Sequence, residues 1–495
     1  MNSSEKMAAF LNKIAGEPTG LRRDKLCDQW LSMLFDPDSF VCLDSKVVSR
    51  PFSGAFDRPP VEGDGVVTGY GTINGRLVFA AAQDPDVYGG SMGRSHSMKI
   101  VKSIEMAIDS NAPFIALFSS GGARIEEGVL ALEGLGAVLS ALNEAKGMIP
   151  VLSAIMGQCP GGLAIAAVKA DFLFMIEKKS GMYINSPSLS SIADSMSVTP
   201  DNIGSTETHK KTGLASFILP TEDACIAKIR EVLEYIPVAA GEFPSVIRDL
   251  SSDDSNRVSE ALNLMASESD MTPVFAEAVF KEISDRNQLL EIASDFGKDI
   301  YIALGKLDGV TVGFIGNMAL RMTSDGVKKA AKFVRFCDSF MIPMVTLTNA
   351  EGFELGSKTE NSTVLEDSAA LIEAFSASSA PRIGILAGKA IGTAYLCLNS
   401  KMLGADIVYA WPTAEVSVLS ADAAAHILFR EKISGSDNPI TAREKLVSDY
   451  RDQIGNAEIA ASLGQVDEII VPSATRPRVI SALDILLCSR PLSEK

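Results

Sequence analysis

Three histidines in 495 residues, His96, His209 and His426, are too few and too far apart in sequence for metal-ligand spacing or a triad signature. The seven cysteines are odd in number and scattered, with no Cys-x-x-Cys. That usage predicts a reduced, cytoplasmic protein without disulfides or structural zinc. Positive charge is also short. Against 62 Asp and Glu stand 45 Lys and Arg, and the resulting charge of −17 gives no electrostatic case for nucleic acid or anionic lipid. The opening MNSSEKMAAF lacks the apolar core of a signal peptide. One uncharged run, Gly147–Val168, has the 22 residues of a membrane span. Its Gly147, Pro150, Gly157, Pro160, Gly161 and Gly162 instead predict a strand (Val151–Met156), a Gly-rich turn and an Ala-rich helix start (Leu163–Val168).

What is present is a chain that is 46% hydrophobic and 22% charged, enough for a sizeable core and, at this length, two or three domains. The first ~50 residues read as polar and helical, ending near Asp36–Phe40. Gly65–Gly71 and Arg76–Ala82 are β-rich and flank Ile73-Asn74-Gly75, a hairpin signal because Asn and Gly accept positive φ. Met98–Asp109 has the helical period. Ile100, Ile104 and Ile108 share one face, and Lys99, Lys102, Glu105 and Asp109 are placed to point to water. Phe114–Phe118 reads as a buried strand ending in Ser119-Ser120-Gly121-Gly122, and Ser251–Asn256 is the most linker-like stretch.

The chain also repeats itself. Tyr70-Gly71-x-x-Asn74-Gly75 returns 234 residues later as Leu304-Gly305-x-x-Asp308-Gly309. Ala112-Pro113-Phe114-Ile115 returns after 230 as Ile342-Pro343-Met344-Val345, and Cys159-x-Gly161-Gly162 after 231 as Ala390-x-Gly392-Thr393. Ala170-Asp171-Phe172 returns after 235 as Ala405-Asp406-Ile407. Four landmarks in one order at near-constant spacing predict two copies of one α/β unit, over residues 1–250 and 257–495. Each copy carries two strand–Gly–helix junctions, at Ser119–Arg124 and Gly157–Leu163, then at Thr348–Gly356 and Gly388–Ala394. Glycine admits a ligand to the backbone, and the first N–H groups of a helix have no internal partner and carry partial positive charge. Such N–H groups suit a developing oxyanion. Tight strand–helix packing is the other reason for glycine at these places. Side-chain catalysts are few: nothing in the sequence pairs Glu126, Glu127, Glu351 or Glu354, and Arg124 reads equally as a phosphate or carboxylate ligand or as a surface ion-pair partner. Enolate chemistry at a thioester is one class that fits backbone donors with acid and base supplied from outside.

Longer strings carry a resemblance. Asp64-Gly65-Val66-Val67-Thr68-Gly69-Tyr70-Gly71-Thr72-Ile73-Asn74-Gly75-Arg76, Ser120-Gly121-Gly122-Ala123-Arg124-Ile125-x-Glu127-Gly128, Met156-Gly157-x-Cys159-x-Gly161-Gly162, Phe333-x-Arg335-Phe336-Cys337-Asp338-x-Phe340-x-Ile342-Pro343, and Leu403-Gly404-Ala405-Asp406 with Ala410-Trp411-Pro412-Thr413-Ala414-Glu415 closely resemble the carboxyltransferase (β) subunits of biotin-dependent acyl-CoA carboxylases. The carboxyltransferase subunits of sodium-pumping acyl-CoA decarboxylases share the pattern. The resemblance runs from about Leu31 to the C-terminus and implies an α/β chain of two tandem crotonase-like domains. It implies that carboxybiotin releases CO2, that the freed ureido nitrogen takes the α-proton of an acyl-CoA, and that the enolate attacks CO2, or the reverse in a decarboxylase. Carried over by position, the two oxyanion sites are the N–H groups of Gly162 and Leu163 and those of Thr393 and Ala394. Ser120, Gly121, Gly122, Ala123, Arg124, Gly161, Gly392 and Tyr395 are the substrate-binding candidates, with no metal. The implied partners are a biotin carrier protein and biotin carboxylase, or membrane decarboxylase subunits. The implied assembly is a homo-oligomer, a dimer at minimum with a hexamer as the larger alternative, with each site between the first domain of one subunit and the second of its neighbour.

The second half departs from the pattern. The family's Gly-Phe-Leu-Pro-Gly reads Gly352-Phe353-Glu354-Leu355-Gly356, a following Gly-Gly-Ile-Ile-Arg-His-Gly stretch is missing, and Gly-Gly-Ala-Tyr reads Gly392-Thr393-Ala394-Tyr395. A β-branched Thr393 either narrows the approach of biotin or supplies a hydroxyl. Biotin carriers bear their lysine in Ala-Met-Lys-Met within a small β-domain. The lone Met98-Lys99 pair here sits in a helix pattern, so biotin is expected on a separate carrier.

Overall fold

The structure, a computed structural model, describes residues 3–7, 25–49, 59–199, 202–237, 253–269 and 273–489. The chain divides into two compact units, Met1–Ala240 and Gly241–Lys495.

The strands of the first unit are β1 (Val41–Leu43), β2 (Val66–Ile73), β3 (Arg76–Gln83), β4 (Phe114–Phe118), β5 (Val151–Ile155), β6 (Gln158–Pro160), β7 (Phe172–Ile176), β8 (Gly181–Tyr183) and β9 (Phe217–Leu219). Seven form one sheet in the order β1-β2-β3-β4-β5-β7-β9, and β6 pairs with β8 separately. The first three strands are antiparallel, and β3 through β9 run parallel. The β2–β3 turn closes through Asn74 and Gly75, both left-handed at φ 52° and 76°, as the right-handed twist of a hairpin demands. Every residue of β4, β5 and β7 is buried, which is why their sequences are continuously apolar rather than alternating. Helix Arg94–Asp109 buries Ile100 and Ile104 against this sheet, while Ile108 is only partly covered. Lys99 corrects the sequence expectation. It faces inward, and its ammonium donates to the carbonyls of Gly63 (2.9 Å) and Val66. Four methylenes let a lysine fill an apolar space while its head finds carbonyl acceptors.

The second unit contains β10 (Leu289–Glu291), β11 (Ile300–Leu307), β12 (Val310–Asn317), β13 (Arg321–Met322), β14 (Met344–Ala350), β15 (Gly352–Phe353), β16 (Arg382–Ile391), β17 (Ile407–Ala410), β18 (Glu415–Ser417) and β19 (Glu468–Ile469). Its main sheet runs β10-β11-β12-β14-β16-β17-β19, again with three antiparallel strands followed by parallel ones. The repeat extends to side chains. Asp171 accepts the N–H of Val151, and Asp406 accepts that of Arg382. Asp36 caps the hairpin N–H groups of Asn74 and Gly75 and binds Arg230; Asp285 caps those of Asp308 and Gly309 and binds Arg476. Both units have the α/β crotonase-like architecture.

The expected helical start is described at 3–7 and Leu26–Leu34; residues 8–24 lie outside the described residues. Helix Leu26–Leu34 is not polar, since it buries Trp30, Leu31 and Leu34. Of the linker-like stretch, 251 and 252 lie outside the described residues, and the rest is no free linker. Asp253 binds Arg257 and the N–H of Arg286, Ser255 binds Asp308, and the carbonyl of Asp254 accepts from Arg476. Polar composition there reflects hydrogen bonds made within the second unit. Gly147–Val168 forms the strand, turn and short helix foreseen, and no helix among the described residues is long and apolar enough to cross a membrane.

Candidate active site

In the first unit, β4 delivers Ser119 to the turn Ser120–Arg124. A strap, Gly90–Met92, fastens that turn. Ser120 Oγ donates to Gly90 O (3.0 Å) and accepts from Gly122 N–H (3.0 Å). Met92 N–H donates to Gly122 O, and Arg124 N–H to Met92 O, both at 2.8 Å. Gly121 and Ala123 remain exposed at the crest, while Ser120 is buried beneath them.

Arg124 does not reach outward. Its guanidinium is 1% exposed and donates to Asp64 Oδ1 (2.7 Å), Glu127 Oε1 (2.9 Å) and Ser91 O (2.8 Å). Its charge also lies 4.9 Å from the centre of the Tyr88 ring. This corrects two sequence expectations: Arg124 is no direct substrate ligand in this geometry, and Glu127 is paired. The two carboxylates outnumber the one guanidinium, and the helix start at Arg94 offsets the excess. Glu127 accepts the N–H of Arg94 (2.7 Å), and Asp64 that of His96 (2.9 Å). Burial pushes the Asp64 carboxyl up, against the pull of Arg124. Burial pushes His96 down to about 3, so its ring is neutral. With Nδ1 donating to Asp64 O (2.8 Å), its Nε2 accepts from the Gln83 amide (3.1 Å). That fixes Gln83 Oε1 to accept the N–H of Ser119 at 3.0 Å, directly before the turn.

The second junction of this unit runs from Gly157 to the helix Gly162–Val168. Gly161 caps that helix at φ 71°, a left-handed conformation that requires glycine, and its N–H donates to Tyr183 O. The next two N–H groups, of Gly162 and Leu163, lie in the first turn and have no helical acceptor. Gly162 also has a packing reason to be glycine, because a Cβ there would stand 2.3 Å from Leu135 Cδ2. The packing reason for this glycine is therefore present in the structure, beside a backbone N–H that the helix itself does not use.

The second unit repeats the junction. Gly392 sits at φ 56°, and the helix Gly392–Cys397 presents the N–H groups of Thr393 and Ala394. Thr393 is exposed and Ala394 buried. Tyr395, expected to touch substrate, is instead a core residue packed with Leu386, Val408 and Ala410, and burial pushes its hydroxyl up to about 12. Helical geometry turns position 395 back under the sheet end. Glu351 pairs with Lys389 and lies 3.7 Å from Arg321, so it is no free base.

Sequence reasoning missed the residues beneath these turns: Asp64, Gln83, His96, Asn317 and Asn349. A signal was present, since Gln83, Asn317 and Asn349 are amides at or next to the C-terminal end of apolar strands. No group of His, Cys, Asp or Glu among the described residues is arranged to hold a metal ion.

The comparisons agree with this architecture. Residues 25–491 match the family model described as the carboxyl transferase domain. The carboxyltransferase subunit of propionyl-CoA carboxylase from Haloferax mediterranei is 35% identical over 93% of this chain and 90% of its own length. Methylmalonyl-CoA decarboxylase subunit alpha from Veillonella parvula is 36% identical over 93% of this chain and 89% of its own. The structure of transcarboxylase 12S, a hexamer with methylmalonyl-coenzyme A and methylmalonic acid bound, superposes with a TM-score of 0.90 at 31% identity, covering 99% of this chain and 97% of that one. With a family model spanning nearly the whole chain, and relatives of this identity in both the carboxylase and the decarboxylase groups, the chain belongs to the carboxyl transferase domain family.

Proposed function

We propose that this carboxyltransferase moves a carboxyl group between carboxybiotin on a separate carrier protein and the α-carbon of an acyl-CoA. The observation that carries the reading is the duplicated junction: Gly161 and Gly392, both left-handed, each precede two first-turn N–H groups. The residues present fit two oxyanions. The N–H groups of Gly162 and Leu163 hold the thioester oxygen as it gains charge, and those of Thr393 and Ala394 hold the ureido oxygen of biotin. Bound carboxybiotin supplies the CO2 and the proton acceptor, which accounts for a site without a side-chain base. Each donor is worth about 2.7–4 kcal/mol of transition-state stabilisation. Arg124 acts as an anchor of the Ser120–Ala123 turn, against which the CoA portion lies.

By analogy with the hexamer of transcarboxylase 12S, the working form is a homo-oligomer; the family resemblance adds that the first unit of one subunit faces the second of another. It acts in the cytoplasm with a biotin carrier and biotin carboxylase, or beside membrane decarboxylase subunits. Biotin-dependent exchange of a labelled carboxyl group between a malonyl-type CoA ester and an unlabelled acyl-CoA, with hydratase and thioesterase assays alongside, tests the reading. Hydratase activity without biotin dependence would overturn it, as would absence of exchange with every acyl-CoA and carrier tried. Mixing a Gly162 variant with an Ala394 variant, each inactive alone, restores part of the exchange if the site is shared between subunits.

A further inference from the structure

We infer that Asn349 is the positioning residue that aims the biotin-side backbone donors, an inference that rests on the role proposed for Thr393 and Ala394. Asn349 occupies the place where the β14–β16 ladder shifts register, between the pairs Thr348–Leu386 and Ala350–Ala390. A register shift leaves backbone groups without their ladder partners, and here the Asn349 side chain replaces them. Its Oδ1 accepts the N–H of Lys389 at 2.8 Å, and its Nδ2 donates to Val274 O at 2.9 Å. Its own N–H donates to Asn317 Oδ1 at 3.2 Å. Only 4% of the residue is exposed, so both ends of its amide are used inside the protein.

The tie falls three residues before the strand becomes a helix. Lys389, Ala390 and Ile391 pair with Glu415, Val416 and Ser417, and Gly392 then turns left-handed to open the helix that offers Thr393 and Ala394. Whatever sets the position of the Lys389 backbone therefore sets the direction of those N–H groups. Gly388 is part of the device. A Cβ there would lie 2.6 Å from Asn349 Oδ1, so only glycine admits the amide. The first unit has the same frame with Ser119 in the place of Asn349: Gln83, like Asn317, accepts the N–H of that residue, and a Cβ at Gly157, like one at Gly388, would collide with its side chain, 2.4 Å from Ser119 Oγ. Both units thus tie the end of a central strand to a buried amide, Gln83 or Asn317, and only the second adds an amide side chain, Asn349, beside the glycine.

The test uses the full-length protein with its biotin carrier, and compares N349A, G388A and the double variant with wild type. N349A is expected to lower kcat of the biotin-dependent exchange by about tenfold or more, the scale of a small misplacement of catalytic groups. KM for the acyl-CoA should stay within about twofold, and the oligomer should be unchanged. G388A pushes on the same amide from the other side and gives the same split. The double variant should be no slower than N349A, because the contact is already gone. Folded N349A with wild-type kcat, or losses that add in the double variant, would overturn the inference, as would a parallel loss of kcat and acyl-CoA affinity. If N349A does not fold, G388A alone decides by the same split. A wild-type protein that shows no exchange would instead sink the carboxyltransferase reading beneath it.

Discussion

Arg124 donates to Asp64 at 2.7 Å with 1% and 0% of the two side chains exposed, and the same guanidinium nitrogen reaches Glu127 at 2.9 Å. Removing one partner of such a buried pair strands the other, at a cost of about 3–5 kcal/mol. Here Arg124→Met strands two carboxylates beside the helix start. It is expected to lower the unfolding free energy by an amount in that range and to free the Ser120–Ala123 turn. Arg124→Lys keeps the charge but not the planar fork that serves Asp64, Glu127 and Ser91 together, and falls in between. Denaturant unfolding of the three proteins checks the order. A protein with Arg124→Met as stable as wild type would remove Arg124 from its anchoring role.

The buried histidine makes stability depend on pH with a definite sign. His96 titrates near 3 when folded and near 6.5 when unfolded, so acid protonates the unfolded chain first. Its contribution is complete above about pH 6.5 and is lost progressively as pH falls toward 3. Asp36 is held down at about 2, chiefly by the N–H of Gly75, and its contribution fades only as pH falls below about 4 toward 2. Melting temperature followed from pH 8 to 4 should therefore fall less steeply in His96→Asn than in wild type. Parallel slopes would mean that His96 is not buried in the neutral state.

How far the sequence disclosed this follows from what each residue does. The Asn74-Gly75 turn, β4 and the paired Gly161 and Gly392 junctions were legible because left-handed glycines and apolar strands leave a local signature. The internal repeat was legible because its landmarks keep their spacing. Lys99, Arg124, Glu127 and Tyr395 were misplaced for one reason. Whether a polar side chain points outward or finds a buried partner depends on residues distant in sequence, such as Gly63 for Lys99 and Asp64 for Arg124. The amide supports Gln83 and Asn349 are of the same kind, since their partners come from other strands.

Gly162 has a packing contact in the structure and a proposed chemical role beside it. The Cβ of an alanine would collide with Leu135, whose side-chain end can move, so Gly162→Ala is expected to cost both stability and turnover. Adding Leu135→Ala removes the collision while leaving the backbone N–H in place. Melting temperature and kcat should then recover together in the double variant. Recovery of melting temperature without recovery of kcat would show that the glycine is needed for the approach of the ligand as well.

The sharpest test of the biotin side is Thr393→Pro. Proline deletes the backbone N–H, and in the first turn of a helix that N–H has no helical acceptor to lose. Thr393 is exposed, so its side chain leaves no cavity in the core, and Gly392 before it has the freedom to adapt to a following proline. Loss of one oxyanion donor predicts a kcat for biotin-dependent exchange lower by about 10²–10³. Thr393→Gly, which keeps the N–H and drops the β-branch and hydroxyl, separates the two meanings of threonine here. Exchange that rises in Thr393→Gly means the β-branch narrows the approach of biotin, and exchange that falls means the hydroxyl contributes. A folded Thr393→Pro protein with undiminished exchange would exclude the Thr393 N–H from the reaction.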